Sequence, residues 1–169
     1  MLSDKERAAL ERAAAAVGVP FDWLYRLIRF ETAGTFDPLK GNPNSSAIGL
    51  LQFTNAAARD LGYNSSQELA HSLPTFEAQV AGAVIPYLKR YRPFPTPQSL
   101  YMSVFYPAAR FWPENREFPP AVQKANTYAT GAIKTVRDYV RRVEGGISSG
   151  LAAALILLAS IVAGILYYK

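Results

Sequence analysis

Glu31 is the residue whose type and surroundings point most directly to chemistry. It closes a largely apolar helical run, Phe21 to Phe30. A carboxylate set among Trp23, Leu27, Ile28 and Phe30 sits where removal from water penalises its charged form. A helix C-terminus also disfavours negative charge, which pushes the same way. A carboxyl held protonated near neutral pH is a general acid. Asp37, in an Asp-Pro turn, is the other carboxylate in reach by sequence; it would hold a water in an inverting route or serve the turn, and Asp60 reads as a surface residue. The chain has no cysteine and a single histidine, His71. Thiolate ligands and disulfides are therefore excluded, and no metal or cofactor is expected.

The elements that must position Glu31 read as all-α. Ser3 with Glu6 forms a candidate capping box, the alanine-rich run after it favours helix, and Gly18 stops it. Pro20 suits the first turn of a second helix, in which Phe21, Leu24, Leu27, Ile28 and Glu31 share one face. Ala33-Gly34 ends that helix. Residues 34 to 47, rich in Gly, Asn, Pro and Ser, predict a long loop of the kind that carries function. Thr54 caps a short helix ending at Gly62, and a second short helix covers Ser66 to His71. Thr75 caps a longer helix to about Tyr91, kinked at Pro86. Pro93, Pro95 and Pro97 make a stiff linker into an apolar aromatic helix, Leu100 to Tyr106. Residues 110 to 120 read as irregular, with helices over Pro120 to Tyr128 and from about Gly131 to Val143. No stretch has a useful period of two, and no repeat is present.

Glu31-Thr32, the polar loop, and Ser46-Ala47-Ile48-Gly49-Leu50-Leu51-Gln52 together resemble the signature of soluble lytic transglycosylases (the SLT domain), relatives of goose-type lysozymes. In that family a Glu-Ser pair at a helix end is followed, roughly fifteen residues on, by Gly-Ala-x-Gly-Leu-Met-Gln. Here Thr32, Ser46 and Leu51 replace Ser, Gly and Met. The family's third motif, Ala-Tyr-Asn-Ala-Gly, corresponds to Val104-Phe105-Tyr106-Pro107-Ala108, a clear departure that is closer to phage-borne versions. The resemblance covers residues 18 to 142. It implies a lysozyme-like domain over residues 1–143 that cleaves the β-1,4 bond between N-acetylmuramic acid and N-acetylglucosamine, with Glu31 as the sole acid and base. It also implies sugar contacts from Thr32, Leu51, Gln52, Phe105 and Tyr106, and places Tyr128 where the family has a late tyrosine facing the glutamate. For Thr32 and Gln52 the alternative is local backbone bonding; for Leu51, Phe105, Tyr106, Trp23, Phe111 and Trp112 it is core packing. His71 reads as a surface or capping residue.

Residues 147 to 168 contain no charge and, as a helix, rise roughly 33 Å, enough for a bilayer core. The expectation is a Gly hinge and a single transmembrane helix over 144–169, with Tyr167 and Tyr168 at an interface. The pairs Ser160/Gly164 and Ala159/Ala163 would permit helix–helix association. The net charge is +5, and Lys169 is the only charge after Glu144. Lys134, Arg137, Arg141 and Arg142 precede the apolar stretch, either as a solvated face or as contacts to anionic headgroups, and would retain the domain on the cytoplasmic side. Basic residues concentrated there argue against nucleic-acid binding. The N-terminus shows no apolar signal region. A membrane-anchored wall enzyme of a phage virion, opening the host periplasmic wall during genome entry, reconciles anchor and substrate. The alternatives are a hydrolytic lysozyme and a non-enzymatic virion membrane protein that keeps the fold.

Overall fold

The computed structural model describes residues 1–128 and 131–145, the side chain of Tyr128 excepted. It is mostly helical, as the sequence predicts. Helix α1 (Asp4–Val17) begins at the expected capping box: Ser3 accepts from the Glu6 amide, and Glu6 accepts from the Ser3 amide at 2.7 Å. Gly18 ends it at φ 78°, a left-handed conformation that glycine adopts without steric penalty. Helix α2 (Phe21–Glu31) buries Leu24, Leu27, Ile28, Phe30 and Glu31. It packs against α1, α7 (Pro97–Phe105) and α9 (Val136–Gly145).

Helices α3 (Asn55–Asp60) and α4 (Ser66–Ser72) pack on each other, capped by Thr54 and Ser65. The long helix expected after Thr75 is present in three continuous parts: α5 (Phe76–Gln79), a π-helical turn (Val80–Val84) and α6 (Ile85–Lys89). Pro86 has no N–H to close the usual bond four residues back. Over the preceding turn the ladder slips by one residue, and Ile85 donates to the Val80 carbonyl. The expected kink is thus a π turn that keeps Val80, Ala83 and Val84 in the core. Helix α7 begins at a second reciprocal cap, Thr96 with Ser99.

The C-terminal third departs from the sequence reading. Helix α8 (Pro120–Ala125) stops three residues before the expected Tyr128. Strands β1 (Thr127–Tyr128) and β2 (Gly131–Ala132) follow, paired antiparallel with Thr127 opposite Ala132. Asn126 breaks the helix: its side chain returns to the Val122 carbonyl at 2.8 Å, and its own carbonyl accepts the Ile133 amide at 2.9 Å. Helix α9 therefore starts at Val136 rather than Gly131. Thr135 and Asp138 fix that start reciprocally: Asp138 N donates to the Thr135 hydroxyl at 3.2 Å, and Thr135 N donates to the Asp138 carboxylate at 2.8 Å. Among the described residues no helix is long and apolar enough to cross a membrane. The span expected over 147–168 lies outside them.

Candidate functional site

Glu31 is set at the end of α2 by what stops that helix. Thr32 folds its hydroxyl back onto the Ile28 carbonyl at 2.7 Å and accepts the Phe36 amide at 3.1 Å. Ala33 (φ 53°) and Gly34 (φ 80°) then turn the chain left-handed, and Gly34 N closes on the Arg29 carbonyl at 2.7 Å. Phe36 also has positive φ, at 56°. Left-handed non-glycine residues cost on the order of 1 kcal/mol each and persist where surrounding structure enforces them. The segment that follows Glu31 is held in such a state.

The Glu31 side chain is 3% exposed. Tyr139, on α9, donates its hydroxyl to Oε1 at 2.8 Å, while Oε2 is buried with no partner. Burial pushes the carboxyl up from 4.5 to about 7, and the Tyr139 hydrogen bond pulls partly against it. Near neutral pH the group is divided between acid and base forms, the condition for giving and then taking a proton. The Tyr139 ring is clamped in turn. It stacks on Phe105 at 4.2 Å and 15°, and meets the Phe30 ring edge-on at 5.5 Å. Phe105 also meets Phe118 at 5.2 Å.

The second motif forms a tight loop. Ile48 pairs with both Gly41 and Phe53 in isolated antiparallel bridges. Gly49 takes φ 90°, and Gln52 takes φ 50° with its Nε2 donating to the Lys40 and Gly49 carbonyls at 3.0 and 3.1 Å. Gly49 is required on a second ground: a Cβ there would lie 2.3 Å from Oε1 of Gln79. Gln79, fully buried on α5, accepts the Leu50 amide at 2.6 Å and donates to the Pro38 carbonyl at 2.9 Å, bracing both limbs of the loop. The sequence reading missed Gln79. Its signal was a lone amide on an otherwise apolar helix face, between Phe76 and Val80–Val84. Gln79→Leu strands the buried Leu50 amide and the part-buried Pro38 carbonyl and is expected to lower stability by about 2 kcal/mol, with accelerated hydrogen exchange at the Leu50 amide as the specific readout.

The expected site residues thus occupy different places. Glu31 and Phe105 are brought together through Tyr139. Thr32 and Gln52 spend the polar groups described above on backbone. Leu51 and Tyr106 lie in the core, Tyr106 edge-on to Trp112 at 5.5 Å and Phe118 at 5.7 Å. Tyr139 meets Glu31; Tyr128, expected to face it, stands in β1, and its side chain lies outside the described atoms. Asp37 is exposed and accepts the Leu39 amide at 2.8 Å, a turn role. His71 is exposed at the end of α4, Trp23 and Trp112 are half-buried, and Arg116 lies over the Trp112 ring at 3.8 Å. Phe111 is exposed beside Arg110. No protein-family model and no curated protein sequence matches this chain.

Proposed function

We propose that the chain is a peptidoglycan lytic transglycosylase in which Glu31 acts first as acid and then as base. The observation that supports this reading is the Glu31 carboxyl itself: buried, raised to about 7, with one oxygen held by Tyr139 and the other unpartnered. In the proposed reaction, protonated Glu31 gives its proton to the glycosidic oxygen as the C1–O bond breaks. The substrate's acetamido group stabilises the resulting cationic sugar. The Glu31 carboxylate then removes the proton of the muramoyl C6 hydroxyl, whose oxygen bonds to C1. The 1,6-anhydro ring closes and the acid is regenerated. The Tyr139 hydrogen bond favours the carboxylate that the second half requires. The scheme needs no second carboxylate, in line with the turn role of Asp37.

Burial of Glu31 requires that the segments covering Oε2 part before a glycan strand reaches it. The same burial is what favours the second reading, a non-enzymatic membrane protein of a virion that retains the fold. A hydrolytic lysozyme is the third. The anchor over 147–168, a place in a virion's internal membrane and action on the host periplasmic wall during genome entry belong to this proposal. Mass spectrometry of muropeptides released from purified peptidoglycan tests it. A 1,6-anhydromuramoyl end is expected; a reducing end would make the chain a hydrolase, and no release would favour the structural reading.

A further inference from the structure

We infer that the outward face of α9 docks on an anionic bilayer surface. The inference rests on the proposed anchor. Helix α9 is two-sided. Val136, Tyr139 and Val143 are buried, and the helix packs on α2 and α7. Arg137, Arg141 and Glu144 are exposed on its other side, and Lys134 is exposed two residues before its start. The Asp138 carboxylate is turned toward the start of the helix, where it accepts the Lys134 and Thr135 amides at 3.1 and 2.8 Å. Arg137 meets Glu114 at 3.2 Å, but both side chains remain about half exposed, 47% and 58%, so the guanidinium stays open to a phosphate. Residues 134–145 carry four basic and two acidic side chains, residues 1–109 ten and nine.

Position makes a bilayer the fitting occupant. The described part of α9 reaches Gly145, and the apolar run of the sequence begins at Ile147. Two residues of chain span at most about 7 Å. If that run enters a bilayer, the end of α9 lies at the headgroups, within roughly one Debye length of them. The ten helical residues span about 15 Å, and Arg137 and Arg141, four apart on one face, would reach the phosphates together, with Lys134 just before the helix. The consequence reaches the proposed active site. Tyr139 on the inner side of the same helix holds Glu31, so the acid would lie about one helix diameter, ~10 Å, from the headgroups. The glycan cleaved would then be the strand nearest the membrane.

The absence of native cysteine allows a direct test on the full chain. A fluorophore on Lys134→Cys reports quenching by headgroup spin-labelled lipid, in phosphatidylcholine vesicles with and without phosphatidylglycerol. Quenching is expected to be at least about twofold greater in the anionic vesicles. Arg141→Glu should return it to the zwitterionic level, whereas Lys5→Glu on α1, an equal change in charge, should not. Equal quenching in the two vesicle types, or equal effects of the two charge reversals, overturns the dock. Flotation separates this from the anchor. A chain that floats with both vesicle types but is quenched equally keeps the anchor and loses the dock. A chain that floats only with anionic vesicles keeps the dock and loses the anchor.

Discussion

Glu31→Gln is expected to lower the rate of muropeptide release by 10²–10⁴-fold, the range that a positioned acid–base group contributes. The substitution keeps the shape of the side chain and an acceptor for the Tyr139 hydroxyl, so the loss reports the proton and not the packing. A second measurement on the same variant checks the cause. The folded-state pKa of about 7 lies above the ordinary 4.5, so the stability associated with the protonated group is fully present below about 4.5 and is lost as the pH rises through 7. At 1.36 kcal/mol per unit, the wild type loses about 3 kcal/mol from this group across that window. The glutamine variant has nothing to titrate. Its stability relative to wild type, read from urea midpoints, should rise by about that amount between pH 4 and pH 8. A variant inactive but with the same pH dependence as wild type would show that the pKa of this carboxyl is not raised in the folded protein.

That prediction draws on what was legible in the sequence, and the reason it was legible is locality. Glu31 shares a helix face with Leu24, Leu27 and Ile28 through three- and four-residue spacings, and burial of that face places the carboxyl inside. The Ser3/Glu6 cap, the Gly18 stop and the Thr54 and Thr75 caps are likewise decided within four residues of chain. What was not legible depends on distance along the chain. Tyr139 is 108 residues from Glu31, and nothing local distinguishes it from Tyr128. The end of α8 at Asn126 depends partly on Ile133, which pairs with it across the hairpin. Thr135 and Asp138 carried a local signal for the start of α9, a reciprocal cap one residue before it. The contacts of the aromatic residues also depend on distance along the chain. Phe105 stacks on Tyr139 and meets Phe118, and Tyr106 packs on Trp112 and Phe118.

The Tyr139 side chain therefore carries two separable contributions, and a pair of substitutions divides them. Tyr139→Ala removes a fully buried ring from between Phe30 and Phe105, leaving a cavity at the junction of α2, α7 and α9. Aromatic-to-alanine changes in a packed core cost about 3–5 kcal/mol, and a comparable loss is expected in the unfolding free energy. Tyr139→Phe keeps the ring and its stacking and deletes the hydroxyl that donates to Oε1. Because that hydrogen bond lowers the Glu31 pKa, its removal moves the carboxyl further above 7. The pH profile of muropeptide release should then shift to higher pH, with a rate loss at pH 7 of about tenfold, the size expected for one hydrogen bond to a charged group. A purely structural tyrosine would give a stability loss in both variants and no displacement of the profile in the phenylalanine one. The contrast between the two curves thus reads whether α9 only closes the core over Glu31 or also sets its protonation.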